Sequence, residues 1–145
     1  MITFKKIDNS NWEDCISLSV KGEQKGLVAS NAYSLVQAAY QKNCVPLGIY
    51  FEETMVGFAM YALDPDENSF WIYRLMISAE NQGKNYGKLA LIQLIEYIKN
   101  HENATQISLS YKHNNTVARK LYASCNFLET REVIEGEIVA RLNLK

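Results

Sequence analysis

Ser69-Phe70-Trp71-Ile72-Tyr73-Arg74-Leu75-Met76-Ile77 is followed, after a short polar stretch, by Gln82-Gly83-Lys84-Asn85-Tyr86-Gly87 and then by Leu91, Leu94, Ile95 and Ile98. The first nine residues are aromatic and apolar with Arg74 as their one charge, which predicts a central strand. The four later apolar residues share one face of a helical period, with Lys88, Glu96 and Lys99 elsewhere around it, so a long helix follows. The hexapeptide Gln82–Gly87 therefore sits where a strand hands over to a helix. A helix N-terminus offers unpaired N–H groups and a partial positive charge, and small residues before it let the backbone approach an anion. The spacing is neither that of a P-loop nor that of a dinucleotide fingerprint. By itself it fits an anion-binding turn and a ligand-free glycine-bearing turn alike.

Working towards the N-terminus, Thr3–Ile7 reads as a short strand and Ser10-Asn11-Trp12-Glu13 as a capping box that opens a helix to about Leu18. Lys21–Gly26, with two glycines, predicts a bend, and Ala32–Gln41 a second helix. Leu47–Phe51 and Met55–Leu63 flank Glu52-Glu53-Thr54 as a hairpin, and Asp64-Pro65-Asp66-Glu67-Asn68 is the strongest turn signal in the chain. Towards the C-terminus, Gln106–Tyr111 predicts a strand and Asn115–Ser124 a helix. Phe127–Ile134 and Glu137–Leu144 then make a closing hairpin across Glu135-Gly136. The order β-α-α-β-β-β-α-β-α-β-β specifies an α/β (α+β) fold of about seven strands and four helices, without an internal repeat or linker.

At 145 residues and 48% hydrophobic, residues 1–145 form a single domain able to bury a core without disulfide or metal staples. A net charge of −1 argues against a nucleic-acid partner held by phosphate contacts. No apolar run reaches the ~18 residues that a membrane helix needs. Cys15, Cys44 and Cys125 are odd in number and lack metal-ligand spacing, as do His101 and His113. No metal site is expected, and reduced thiols point to a cytoplasmic location.

Gln82-x-x-Asn85-x-Gly87 is similar to the acetyl-CoA loop of the GCN5-related N-acetyltransferases, [RQ]-x-x-G-x-[GA]. Asn115-x-x-Ala118-x-x-Leu121-Tyr122 resembles that family's later helix, with Phe127 where a Gly-Phe pair normally stands. The element order along nearly the whole chain is also the family's. The resemblance implies a mixed, mostly antiparallel sheet splayed at its centre and acetyl-CoA as acetyl-donor cosubstrate. Gln82, Gly83, Lys84, Asn85, Tyr86 and Gly87 would hold the pyrophosphate. Leu75, Met76 and Ile77 would pair with the pantetheine arm, an N–H near Met76 serving as oxyanion donor. Asn85 and Asn126 replace family glycines, and asparagine is the side-chain-bearing residue that best tolerates a left-handed backbone.

Tyr122, read from its own helix, is a core residue at the end of an apolar stripe. The resemblance makes it the general acid that protonates the departing thiolate. Asn115 caps its helix, bonds the pantetheine, or does both. The position that carries a glutamate base in some relatives holds Tyr73, so deprotonation is expected through water or through an acid from elsewhere. Glu23, between the first helices, and Tyr73 are the expected substrate-binding residues, while Glu52, Glu53, Glu135 and Glu137 read as solvated turn charges. The cysteines read as packing residues.

The words Gly22–Asn31, Val56–Tyr61, Arg74–Ile77 and Leu109–Tyr111 resemble the bacterial spermine/spermidine (diamine) N-acetyltransferases. The resemblance implies a polyamine acceptor, with Glu23, Tyr33, Trp71 and Tyr73 as candidates to surround a polycation. Acetylation of a peptide or drug amine, and an idle acetyl-CoA-binding module, stand beside it. Family members are often dimers, which adds a homodimer paired through Glu137–Leu144 to the expected partners.

Overall fold

The computed structural model describes residues 1–67 and 69–144; Asn68, the last residue of the expected turn, and Lys145 lie outside the described residues. Seven strands are joined in one sheet in the order β1-β2-β3-β4-β5-β7-β6. They are β1 (Ile2–Lys6), β2 (Cys44–Phe51), β3 (Thr54–Asp64), β4 (Ser69–Ile77), β5 (Gln106–Lys112), β6 (Leu128–Ile134) and β7 (Glu137–Asn143). Four helices accompany them: α1 (Trp12–Ser17), α2 (Asn31–Tyr40), α3 (Tyr86–Glu102) and α4 (Thr116–Ser124). Every pairing is antiparallel except β4 with β5.

The two faces of the sheet bury separate clusters. On one, Ala90, Leu91, Leu94 and Ile98 of α3 pack against Leu47, Ile49, Ala59, Tyr61, Ile72 and Ile107, with α4 and Phe127 beside them. Each fully buried Leu or Ile there contributes roughly 1.5–3 kcal/mol of transfer free energy. On the other face, Cys15, Leu18, Leu35 and Ala38 of the α1–α2 region cover Phe58, Met60 and Met76.

The capping box does not form. Ser10 turns its hydroxyl to the Asp8 carboxylate (2.6 Å), and Asn11 is the N-cap of α1 without a side-chain cap bond. Asn11 instead ties Asp8 N–H (2.8 Å) to the Lys6 carbonyl (3.1 Å), so a local Asx arrangement takes the place of the predicted cap. β2 begins at Cys44 rather than Leu47. Pro46 is tolerated because its carbonyl faces the end of β1, accepting from Ile7 N–H, where its missing donor breaks no bond to β3.

Among the described residues only Phe70↔Ile107 and Trp71↔Ser108 join β4 to β5. One step further along β4, Met60 opposes Arg74 and Tyr61 opposes Ile72, so Tyr73 has no partner on β3. That bulge sharpens the local twist and turns Tyr73 and Arg74 to the same α2-facing side, while Leu75 and Ile77 face α3. Beyond it β4 is held by β3 alone and its other edge is free.

Two backbone requirements fix this region. A Cβ on Gly57 would collide with the Met76 carbonyl oxygen and meet Ile77 Cδ1 at 3.0 Å, so only glycine lets β3 lie this close to β4. Asn85, the N-cap of α3, is left-handed (φ +66°) and makes no side-chain cap bond, so its conformation, not its amide, is what the turn uses. Asn126 before Phe127 is likewise left-handed (φ +72°). Gly57→Ala is expected to lower unfolding free energy by about 1–3 kcal/mol, read by urea titration. In the same assay Asn85→Ala should cost about 1 kcal/mol, with Asn85→Gly at or above the parent; equal stability of the alanine and glycine variants would contradict a requirement for left-handed backbone.

Candidate active site

Where β4 and β5 part, a cleft of about 1110 Å³ runs through the sheet from the α3 N-terminus to the β6–β7 hairpin. Its first wall is the free edge of β4. Ser78 N–H donates to Val56 O (2.9 Å), and the Met76 carbonyl lies against Gly57. Backbone groups alternate sides along a strand, so Met76 is committed to β3 and the open edge belongs to Leu75 and Ile77. The Met76 N–H, near which an oxyanion donor is expected from sequence, is therefore turned to β3, and the outward-facing neighbour is Leu75. Of Leu75 and Ile77, the Leu75 N–H lies nearer the fork, and the Ile77 carbonyl accepts from Gln82 Nε2 at 2.9 Å.

At the end of β4 the chain makes a short 3-10 turn, Ala79–Asn81, and reaches Gln82–Gly87. Gly83 (φ +82°) and Asn85 are both left-handed. The amides from Gly83 to Lys88 take part in no turn, loop or cap hydrogen bond among the described residues, and an anion would satisfy them. Gly83, Asn85, Tyr86 and Gly87 line the cleft; Lys84 does not, its Nζ lying 5.9 Å from the Tyr86 ring centroid. Tyr86 stacks on Phe51 (5.0 Å, 28°) and so anchors the helix start to β2. The Gln82 side chain is turned inward, exchanging two hydrogen bonds with Gln24 (2.9 and 3.2 Å) besides its bond to Ile77 O.

The second wall is β5 and α4. Asn115 caps α4 through Ala118 N–H (3.2 Å) and also faces the cleft, along with Ala118, Leu121 and Tyr122. The Tyr122 ring stacks on Tyr111 (5.7 Å, 13°) and meets Phe127 edge-on (5.8 Å). Burial pushes its phenol up to about 12, so it stays protonated through the neutral range. The Tyr111 hydroxyl is committed to the Glu129 carboxylate (2.8 Å), itself held by Arg119. The Tyr122 hydroxyl makes no hydrogen bond among the described residues, leaving it the available proton donor on this wall.

The far end of the cleft, on the α2 face, is lined by Tyr33, Gln41, Asp64, Trp71, Tyr73 and Arg74 with Ser110, Ile134, Glu135 and Glu137. Arg74 donates to Ser34 Oγ (2.9 Å), Gln37 Oε1 (2.8 Å) and the Tyr73 carbonyl (2.9 Å). Three carboxylates thus face one cation already occupied by α2. Tyr73, a predicted substrate residue, stands here with its hydroxyl accepting from Gln41 (3.2 Å). Glu23 does not: it is exposed and points away from the lining, and its neighbour Gln24 takes the cleft position. Glu135 is an exposed turn residue, as read from the sequence, but Glu137 is a half-buried strand residue, and both line the cleft. Nothing in the local sequence marks them, because their position depends on β5 pairing with β7.

The thiols are packing groups: Cys15 is fully buried and desolvation pushes it up to about 11, and Cys44 is raised for the same reason. Among the described residues no group of three His, Cys, Asp or Glu is placed to hold a metal ion, and no helix is long and apolar enough to cross a membrane.

Residues 7–127 match the Acetyltransferase (GNAT) family. The spermine/spermidine N(1)-acetyltransferase of Bacillus subtilis (strain 168) is 33% identical over 132 residues, 87% of either chain. The fold is similar to that of aminoglycoside acetyltransferase AAC(6')-Ib solved with coenzyme A (TM-score 0.82, 15% identity, 99% of this chain and 95% of that one). It is also similar to spermidine N-acetyltransferase from Vibrio cholerae solved with CoA and spermine (TM-score 0.76, 15% identity, 97% and 92%). A free strand edge, an amide-rich helix start and a half-buried phenol thus converge in a chain that belongs to the GNAT acetyltransferase family.

Proposed function

We propose that this protein moves the acetyl group of acetyl-CoA to a primary amine of a polyamine such as spermidine or spermine, by direct attack on the thioester. The observation that carries the reading is the charge of the acceptor end. Asp64, Glu135 and Glu137 line it with the faces of Tyr33, Trp71 and Tyr73, against Arg74 as its one cation among the described residues. A flexible polycation gains from several carboxylates at once and from aromatic faces between them. The spermine/spermidine acetyltransferase of Bacillus subtilis, similar over most of the chain, supports the same acceptor class.

In this reading the amides of Gly83 and Asn85–Gly87 hold the diphosphate, and the loop is kept in place by Gln82, Gln24 and Tyr86 rather than by contacts from Lys84. The free edge of β4 orients the pantetheine arm, and Leu75 N–H is available to the thioester oxygen as negative charge develops there. Attack forms the C–N bond and breaks the C–S bond. The thiolate, of pKa roughly 8.5 by analogy with cysteine, takes the Tyr122 proton. Asn115 combines its cap with a place at the arm.

Thiol release from acetyl-CoA, measured with spermidine, a lysine-tailed peptide and an aminoglycoside, tests the acceptor. Spermidine should be preferred by kcat/KM; preference for the peptide or the drug amine would overturn the polyamine assignment, and release with none would leave a binding module. Tyr122→Phe should lower kcat by ~10²-fold or more while acetyl-CoA affinity by calorimetry is unchanged. With the phenol held up to about 12, kcat/KM of the parent should climb from neutral pH to pH 9 as the amine loses its proton, without a falling limb from Tyr122. An unchanged kcat in Tyr122→Phe removes the phenol from the reaction.

A further inference from the structure

An ammonium must shed protons to become an attacking amine, and of the three carboxylates on the side from which it arrives Glu137 is the one bonded to a β5 residue near the fork. Glu137 opens β7 and sits opposite Lys112 of β5. Ile107, Leu109 and Tyr111 point to the α3–α4 face, so Ser110, Lys112 and the register partner Glu137 point to the other, where Trp71, Tyr73 and Arg74 also lie. Tyr122 packs on the α3–α4 face. Donor phenol and carboxylate therefore reach the fork from opposite sides of the sheet.

The Glu137 carboxylate is half-buried and lines the cleft. Its Oε1 accepts from Ser110 Oγ at 2.7 Å, two residues past the last β5 residue that touches β4. Lys112, its cross-strand neighbour, is turned away and donates to the Gly26 carbonyl (2.8 Å), so among the described residues Glu137 has a hydroxyl partner but no ion pair. The other groups around this end are Arg74 on β4, Glu135 on the same hairpin, Asp64 at the end of β3, and the phenols Tyr33 and Tyr73. Burial disfavours the Arg74 charge, and Glu137 is among the neighbours that offset this.

We infer that Glu137 is the general base of the transfer, oriented by Ser110; this rests on the acetyl-transfer reading above. As the nitrogen lone pair bonds to the thioester carbon, the Glu137 carboxylate takes a proton from that nitrogen. The tetrahedral adduct expels the sulfur, and Tyr122 protonates it. The ammonium first loses one proton to solvent to free its lone pair, Glu137 takes the second and passes it to solvent, and Tyr122 gives its own proton to sulfur and is reprotonated from solvent, so the net products are one amide, one thiol and one released proton.

The test compares kcat, KM and pH profiles of the parent, Glu137→Gln and Ser110→Ala with spermidine and acetyl-CoA, alongside calorimetric acetyl-CoA binding. Glu137→Gln keeps an acceptor for Ser110 and should lose ~10²-fold in kcat with acetyl-CoA affinity within about threefold, while spermidine KM, to which Glu137 also contributes as one of three carboxylates, rises by much less than kcat falls. It should also lose the acidic limb of the kcat profile. Ser110→Ala removes a hydrogen bond to the charged carboxylate, so the limb should move to higher pH; this variant decides the matter if Glu137→Gln does not fold. A kcat within threefold of the parent, a defect confined to KM, or an unmoved limb in Ser110→Ala would overturn the assignment. A parent that binds acetyl-CoA yet acetylates no amine would instead defeat acetyl transfer itself, so the two failures are distinct.

Discussion

The separation of β4 from β5 past Trp71 and Ser108 is the constraint on which the site depends. A strand paired on both edges has no main-chain donor left for a ligand. One that simply ends exposes polar groups to no purpose. Here β4 continues for six residues beyond its last partner on β5 and is held through the other edge alone. Two local features sustain that arrangement. The bulge at Tyr73 supplies the extra twist that swings the strand out of the plane of its neighbour, and Gly57 lets β3 press against it closely enough to keep it attached. The uncovered amides of Leu75 and Ile77 border an open cleft rather than a sealed core.

The fork gives the sheet a function that neither face has separately. Chemistry that moves a proton away from nitrogen and towards sulfur needs groups of opposite character on either side of the reacting carbon. One face supplies the Tyr122 phenol, packed against Tyr111 and Phe127, which burial pushes up to about 12. The other supplies carboxylates, Glu135 and Glu137, on a hairpin at the rim. The strand alternation that separates the two hydrophobic clusters also separates these two environments, so the acid–base polarity of the cleft follows from the amphipathic pattern of β4 and β5.

Local signals in the chain reported their own consequences well. The apolar stripe of α3, the β2–β3 hairpin and the turn chemistry at Gly83 and Asn85 were legible because each is a short-range relation between sequence period and backbone conformation. The asparagines at 85 and 126 were legible for the same reason, since tolerance of positive φ is a property of the residue. Glu23 was chosen by its place between the helices. Its side chain faces solvent because the 3-10 turn Gly22–Gln24 presents Gln24 to the cleft and Glu23 outward. Glu137 was passed over because its importance comes from the β5–β7 register and from Lys112 turning elsewhere, neither of which a local window contains. That Leu75 rather than Met76 faces the open edge has a similar origin: strand parity is readable, but which parity faces β3 is set only by the pairing.

The connector between α1 and α2 shows how far such non-local relations reach. Its composition, with two glycines and several polar residues, reads as a loose loop. Yet Ser19 O accepts from Ala79 N–H (2.8 Å), Gln24 exchanges two bonds with Gln82, and Gly26 O accepts from Lys112 Nζ (2.8 Å). The first two ties reach the donor side of the fork and the third reaches β5, so the connector spans both arms of the cleft it helps to line. Two of the tied atoms are main-chain carbonyls, which carry no side-chain signature at all. The same Gln82 that braces Ile77 is braced by Gln24, so the position of the Gln82–Gly87 turn and that of the connector are fixed by one pair of amides. A displacement of either segment must break those bonds or carry the other with it.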